Sequence, residues 1–531
     1  MRPIYPTQRE SLFNVATTRS MEQWAAANQP PHRLMTLAGV AVARLARALV
    51  PHAGCIWIAC GPGNNGGDGL VAATHLHRWA QARGGSPQVV VTHWTGPHTQ
   101  TLPFDANNAL REAKAVGVQF AAEPPEAFDL AIDAMFGIGL ARTPEGLAAQ
   151  WIARLRTAPQ TVLCVDVPSG LDADTGTWLP LPAATLGAAG VRHTLSLLTI
   201  KPGLFTASGR DAAGQVWFDD LNVSPSTDTP PTAYLNGWIN VAAVRTHQPH
   251  VNHKGSFGDV VVIGGQNIAV NGSGMTGAAV LAARAALHAG AGRVYVGLLE
   301  ARAPAARAAS WDPVSPELMF RDTKALLKSP LLTTAAVVCG CGGGTEVAKV
   351  LPQILSDARL LVLDADALNA ITNDSALQAH LSQRSSKGGF TVLTPHPLEA
   401  ARLLGCSTDE IMANRLRAAQ AISDRFASVC VLKGSGTVIS APDQTPLINP
   451  TGNAALGTAG TGDVLAGMLG SSLAPPESTP EQRRDRLARA VFQHGWLADH
   501  WSRTGEARSA VKEDGPAFSA SRLVNQVRPV Q

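Results

Sequence analysis

At 531 residues the chain exceeds what one hydrophobic core serves, so two or three domains are expected. Hydrophobic residues make up 45%, charged residues 16% and aromatics 5%, which suits α/β domains with small-residue helix packing and excludes a disordered chain or a coiled coil. The formal net charge of +3 gives no ground for a nucleic-acid partner or an acidic membrane surface.

The start of the chain carries Arg2, Pro3, Pro6, Arg9 and Glu10 where a secretory signal needs an apolar core, and no apolar run approaches a membrane span. The seven cysteines form no CxxC pair and no alternating Cys/His set, so reduced structural thiols are expected. A cytoplasmic protein is the resulting expectation.

Met21 to Val50 has apolar residues at helical spacing. After the break at Pro51 to Gly54, Cys55 to Ala59 reads as a buried strand. Strand-like runs recur at Val89 to Thr92, Leu130 to Ala134 and Val162 to Val167, separated by helix-length stretches at Gly69 to Arg83, Phe104 to Val116 and Pro144 to Leu155. Apolar strands alternating with helices predict a parallel sheet covered on both faces. Three loops at strand ends carry chemistry. CGPGNNGGDGL (Cys60 to Leu70) is a glycine-rich turn before a helix, without GxGxxG spacing. DAMFGIGLAR (Asp133 to Arg142) couples a carboxylate to glycines and an arginine, and VDVPSGLDADTG (Val165 to Gly176) delivers Asp166 beside Ser169. Each alone is compatible with a turn or cap, but together they predict one crevice.

Val223 to Gly237, rich in Ser, Thr and Pro, reads as a linker with a boundary near Thr227, which gives domains 1–226 and 227–531. Beyond it, strands are predicted at Val260 to Ile263, Arg293 to Leu298, Ala335 to Cys339, Leu360 to Asp364, Thr391 to Leu393 and Val429 to Leu432, again alternating with helices such as Thr276 to Ala289. The fold class is therefore α/β in two domains. The strand ends of the second carry GGG (Gly342 to Gly344), LDADAL (Leu363 to Leu368), TPHPLEAARLL (Thr394 to Leu404) and LKGSGTVI (Leu432 to Ile439). NPTGNAALGTAGTGDVLAG (Asn449 to Gly467) sets Asp463 among glycines at a helix start. Backbone N–H groups there suit an anion, and a carboxylate beside them is placed to take a proton from an attacking hydroxyl, so phosphoryl chemistry with Asp463 as base is one reading of this stretch, beside the plainer one of an aspartate at an ordinary helix start. A last helix, Pro480 to Trp501, and a loose tail close the chain.

These motifs carry a resemblance. Lys254 to Leu473, through KGSFGDVVVIGG, MTGAAVLAARAALHAGAG, DADALN, LTPHPLEAARLLG, VLKGSGTVI and the Asp463 stretch, resembles the nucleotide-dependent NAD(P)H-hydrate dehydratases of the ribokinase-like superfamily. Ser20 to Val223, through LMTLAG, CGPGNNGGDGLVAATHLH, DAMFGIGLAR, VDVPSGLDADTG and TIKPGLF, resembles the NAD(P)H-hydrate epimerases. In this order the two resemble the fused bacterial repair enzymes that restore hydrated NADH and NADPH. The resemblance implies a Rossmann-like three-layer α/β/α domain followed by a ribokinase-like one. It implies nucleotide contacts from Lys433, Gly434, Ser435, Gly436, Thr437 and Gly462, and hydrate contacts from Ala278, Gly344, His396 and Asp463. In the first domain it implies a dinucleotide cradle of Asn64, Asn65, Gly66, Gly67, Asp68, Gly137, Ile138, Gly139, Leu140, Ala141, Arg142 and Thr143, with Asp166 at the reacting ring and potassium at Asn65, Asp133 and Ser169. ADP or ATP as phosphoryl donor, Mg2+, K+, small-molecule partners only and a homo-oligomer complete the expectation. The segment His193 to Phe205 departs from the family pattern, and the resemblance assigns Lys201 no role. Two other readings stand beside it: a ribokinase-like vitamin or sugar kinase fused to a dinucleotide-binding module, and a first domain that is only a ligand-sensing or partner-binding module.

Overall fold

The computed structural model describes residues 1–95, 101–140, 142–180, 190–223, 229–237, 250–268, 270–299, 311–476, 478–503 and 518–529. Contacts divide the chain into two units, one formed by Met1–Tyr5 and Glu10–Ala233, the other by Pro6–Arg9 and Tyr234–Gln531. The predicted boundary at Thr227 lies outside the described residues, and the stretch read as linker contains a strand, Ala233–Leu235, whose Tyr234 and Leu235 pair in parallel with Leu447 and Ile448. Its Ala-Tyr-Leu alternation is too short to stand out from the proline-rich surroundings.

In the first unit the central strands run in the order Gln215–Asp219, Arg192–Leu197, Thr161–Val165, Leu130–Ala134, Cys55–Cys60, Gln88–His93, Gln119–Ala121, all parallel. Both faces are covered, which explains the uninterrupted apolar runs. Ile56, Ile58 and Cys60 enter one core, Trp57 and Ala59 the other. The strand Cys55–Cys60 is followed in sequence by its neighbour on one side, and the chain then crosses to Leu130–Ala134 on the other. Ligands of doubly wound sheets sit at that change of direction, beyond the carboxyl ends of the strands.

The glycine-rich stretch departs from its predicted form. It is not a turn up to Leu70, because the helix begins at Asn64 and runs to Gln81, with Gly63 as its cap. Its early glycines bring the helix down onto the strands. A Cβ on Gly66 would lie 2.0 Å from the Gly61 carbonyl oxygen, and one on Gly69 would lie 2.5 Å from the Ala134 methyl. Predicted as one helical pattern, Met21 to Val50 is two helices, Val15–Asn28 and Arg33–Leu49, broken where two prolines precede His32.

The second unit repeats the logic without repeating the sequence. Its parallel strands run Arg293–Leu298, Asp259–Gly264, Ala336–Cys339, Leu360–Leu363, Phe390–Leu393, Val429–Leu432, with Val438–Ser440 and Leu447–Ile448 added antiparallel. Val260 and Val262 face one core, Val261 and Ile263 the other. The helices Thr276–His288, Thr461–Leu473, Pro480–Arg503 and Ala520–Gln526 cover the first of these faces. The tail predicted as loose is thus partly a packed helix, with Leu523 and Val524 buried. Among the described residues no helix is long and apolar enough to cross a membrane, and all seven cysteines are unpaired thiols.

Candidate active sites

In the first unit a cavity of about 1610 Å3 opens at the change of strand direction. Asn64, Asn65, Asp68, Gly137, Ile138, Gly139, Leu140, Arg142, Thr143 and Asp166 all line it, so the three predicted loops do form one crevice. Gly66 and Gly67 do not reach the wall. Both are buried in the helix, Gly67 against Met35, and their part is close packing rather than a cradle. Ala141 lies outside the described residues.

Asp166 follows the strand Thr161–Val165 with φ at +67°, a left-handed backbone that aspartate tolerates better than most residues. Its carboxylate accepts the Leu197 N–H at 3.1 Å and an ammonium hydrogen of Lys201. Lys201 is fully buried, and its other two hydrogens go to the carbonyls of Leu197 (2.7 Å) and Thr199 (3.0 Å). All three donors are used, so this lysine holds Asp166 in place and is no mobile phosphate binder. Sequence left Lys201 without a role because the segment leading to it, His193 to Phe205, departs from the family pattern; its partners are visible only in the fold.

Asp133 and Ser169 are brought together. Asp133 accepts the Ser169 N–H at 2.9 Å and hydroxyl at 2.5 Å, and burial pushes its carboxyl above the ordinary range. The Ser169 hydroxyl in turn accepts from Phe136 N–H at 2.9 Å. Asn65 sits beside Gly137 and has a buried side-chain amide nitrogen without a partner. Amide oxygen and nitrogen exchange places by a simple flip, so this orphan fits a site where the oxygen faces a cation. Amide, carboxylate and carbonyl oxygens are the donor set for a hard ion.

In the second unit the loops after four adjacent strands converge. Asp463 lies in the first turn of Thr461–Leu473, whose cap Gly460 has φ at +89°. Burial first, and the charge of Asp364 second, push its carboxyl up to about 6. Asp364, just past Leu360–Leu363, accepts Lys433 Nζ at 2.7 Å and the Thr394 hydroxyl at 2.6 Å. Burial draws the Lys433 ammonium down, but Asp364 and Glu399 outweigh it and the net shift is upward. Side-chain ligand atoms of Cys341, Asp364 and Asp463 fall within 4.8 Å of one another. Asp364 was legible only as part of LDADAL; its grip on Lys433 joins residues 69 positions apart.

The segment Lys433 to Thr437 bends over a buried arginine that sequence did not mark. Arg415 donates to the carbonyls of Leu432 (3.2 Å) and Lys433 (3.1 Å), and a Cβ on Gly434 would stand 3.0 Å from its guanidinium. Gly434 has φ at +134° and Gly436 +66°, so both positions need glycine. The Thr437 hydroxyl donates to the Gly434 carbonyl at 3.2 Å, and Ser435 is exposed beside it. A Cβ on Gly462 would sit 3.6 Å from Lys433 Nζ, which puts the Asp463 helix start against this loop.

Gly344 adopts φ at +54°; its N–H donates to Asp366 at 2.8 Å, and a Cβ there would collide with Gln266 Oε1. Gln266 Oε1 also accepts the Thr345 N–H at 2.9 Å. The methyl of Ala278 borders the same loop at Gly342. His396 caps the helix Pro397–Leu404, with Nδ1 accepting from Leu398 N–H (3.1 Å) and Glu399 N–H (3.3 Å), and burial lowers its imidazole affinity for a proton. From behind, helix Pro480–Arg503 fixes the Asp463 loop. Asp499 accepts from Gly452 N–H at 2.9 Å, and the buried His494 ring nitrogen lies 2.9 Å from the Thr461 carbonyl. This supporting role for the C-terminal helix has no signature in its sequence.

A family model described as NAD(P)H-hydrate dehydratase matches residues 260–513, and one described as YjeF-related protein N-terminus matches residues 31–203. The chain is similar to the bifunctional NAD(P)H-hydrate repair enzyme Nnr of Escherichia coli (strain K12), 35% identical over 88% of this chain and 85% of that protein. It is similar also to the enzymes of the same name from Coxiella burnetii, 33% identical over 91% and 93%, and Vibrio cholerae, 32% identical over 96% of each. Among solved structures, the ADP/ATP-dependent NAD(P)H-hydrate dehydratase from Bacillus subtilis, co-crystallized with ATP/Mg2+, aligns with 53% of this chain and 92% of its own at 28% identity and a TM-score of 0.40.

Proposed function

Because the chain belongs to the family of bifunctional NAD(P)H-hydrate repair enzymes, we propose that its two strand-end sites act in turn on one damaged cofactor, the first interconverting the R and S hydrates of NADH and NADPH and the second dehydrating the S form. The observation that carries this reading is that one chain pairs a cavity roomy enough for a dinucleotide, walled by Asp166, with a cluster of Asp463, Asp364 and Lys433 whose charges suit phosphoryl transfer.

The hydrate carries a hydroxyl at nicotinamide C6, and hydroxide is a poor leaving group. Phosphorylating that oxygen makes it a good one, and the ring nitrogen's lone pair then expels phosphate, with loss of a C5 proton, to restore the dihydronicotinamide. Asp463 takes the hydroxyl proton or orients it for attack, and the N–H groups opening Thr461–Leu473 face the transferring group. Gly434 to Thr437, held from below by Arg415, and Lys433 receive the nucleotide phosphates, and Gly344, Ala278 and His396 border the hydrate. The carboxylates of Asp364 and Asp463 suit Mg2+, which when bound neutralises charge on the phosphates. In the first unit Asn64, Asn65, Asp68, Gly137, Ile138, Gly139, Leu140, Arg142 and Thr143 take the dinucleotide, Asp166 faces the reacting ring, and Asn65, Asp133 and Ser169 hold potassium. With this reading go a cytoplasmic location, where the seven thiols stay reduced, and a homo-oligomeric state.

A kinase of vitamins or sugars would instead release a stable phosphorylated product. Mixing the enzyme with hydrated NADH and either ADP or ATP separates the two readings. Regeneration of the near-UV absorbance of NADH is expected, with phosphate released in equal amount, and the faster of the two nucleotides identifies the donor. Accumulation of a phosphorylated hydrate, or no recovery with either epimer, sinks the repair reading.

A further inference from the structure

The first cavity contains a carboxyl group that neither the glycine-rich loops nor Asp166 accounts for. Thr18, Arg19, Glu22 and Ala26, on the helix Val15–Asn28, all line it, a spacing that puts them on one face of that helix. The helix is registered against the segment that carries Lys201. The Thr18 and Thr199 hydroxyls are buried and bonded at 2.7 Å, while Val15 N–H donates to Asp174 at 2.8 Å. Glu22 lies one turn beyond Thr18, so the contact that positions Lys201, and through it Asp166, also positions Glu22.

The surroundings of Glu22 raise its affinity for a proton. Its hydrogen-bond partner is the neutral side chain of Asn64 rather than a cation, because the nearby Lys201 ammonium is fully used by Asp166 and two carbonyls. Burial first, and the Asp166 charge second, push its carboxyl above the ordinary range, with Asn64, Lys201 and Arg19 opposing. Asp68, facing the same space, is raised well above its ordinary value by burial and then by Asp166 and Glu22. The cavity thus combines a carboxylate held in an ion pair with a neighbouring carboxyl from a different element. Two carboxyl groups in unlike surroundings, one ion-paired and one hydrogen-bonded to a neutral amide, can divide the roles of base and acid.

We propose that Glu22 is the general acid of the epimerisation, giving its proton to the C6 hydroxyl of the hydrate while Asp166 takes a proton from the water that adds back. The C6–O bond breaks and the oxygen leaves as water carrying the Glu22 proton; the ring nitrogen's lone pair forms the C6=N1 bond, and Asp166 lies opposite the resulting positive charge. Water then bonds to C6 on the other face as the C6=N1 pair returns to nitrogen, and the proton it sheds goes to Asp166. Solvent returns that proton to Glu22, so no other reactant is consumed. This rests on the epimerase reading of the first unit.

The test is the full-length Glu22→Gln enzyme, given one pure hydrate epimer without nucleotide, with the R to S ratio followed by chromatography and NADH binding followed by fluorescence. Loss of about 100-fold or more in the enzyme-catalysed rate, within the range of general acid catalysis, is expected. NADH binding and dehydration of the S hydrate should stay within twofold of the parent, and Glu22→Asp should recover part of the lost rate. Epimerisation within threefold of the parent overturns the proposal. So does a rate loss matched by an equal loss of NADH binding, which makes Glu22 a binding group. A parent enzyme that leaves the R to S ratio at the uncatalysed rate refutes the epimerase reading instead.

Discussion

Asp463→Asn is expected to lower the rate of S-hydrate dehydration by about 1,000-fold while leaving epimerisation unchanged, since removal of a positioned base costs about 100- to 10,000-fold. The substitution keeps the shape of the first turn of Thr461–Leu473 and removes the charged carboxylate, both as proton acceptor and as a ligand for Mg2+. The pH dependence follows from the environment. With its carboxyl pushed up to about 6, Asp463 is ionised at neutral pH, and the dehydration rate should fall about tenfold per pH unit as the solution is acidified below 6. The residual rate of the Asn variant should lack that step. Stability moves the opposite way. A folded-state value above the unfolded one favours the protonated form, so this stabilisation is complete below the unfolded value and is lost as pH rises through about 6. At pH 8 the fold therefore carries an unfavourable charge, and the Asn variant should melt at a higher temperature than the parent by an amount worth about 3 kcal/mol. A variant that dehydrates within tenfold of the parent removes Asp463 from the chemistry.

Lys201→Met carries the second large effect, and it is structural as well as catalytic. The substitution leaves Asp166 with the Leu197 N–H but no countercharge; the Leu197 carbonyl keeps the Thr199 N–H (2.7 Å) and the Thr199 carbonyl keeps the Ser196 hydroxyl (2.9 Å), so the stranded carboxylate is the main cost. Breaking a buried pair from one side costs about 3–5 kcal/mol. The unfolding transition of the first unit should shift down accordingly, and epimerisation should fall with it. Adding Asp166→Asn removes the stranded charge, so the double variant should recover part of the stability and none of the epimerisation. Thermal unfolding of the parent, both singles and the double checks this. Equal melting temperatures for the parent and Lys201→Met would show that the pair contributes nothing.

Strand ends were the legible part of both sites. Cys55–Cys60, Leu130–Ala134, Arg293–Leu298 and Val429–Leu432 announce themselves as apolar runs because both faces of each sheet are buried, and the glycine-bearing loops follow directly from them. What stayed hidden depends on long-range packing. The start of the helix at Asn64 is masked by glycines that ordinarily signal a turn, yet here they admit the helix onto Gly61 and Ala134. Lys201 and Arg415 are residue types that solvent ordinarily claims, and only their partners in the fold, Asp166 and two carbonyls for the first and carbonyls for the second, explain their complete burial. Asp364 reads as one carboxylate of LDADAL until Lys433 and Thr394 arrive from two later strands.

The most direct test of the two-site account is to supply the enzyme with the pure R hydrate of NADH and the preferred nucleotide and to follow NADH absorbance to completion. The account predicts full conversion by the parent. It predicts conversion by the Asp166→Ala enzyme only at the rate of uncatalysed epimerisation, even though that enzyme dehydrates the S hydrate normally. Full-speed recovery of NADH from the R hydrate by the Asp166→Ala enzyme would contradict it.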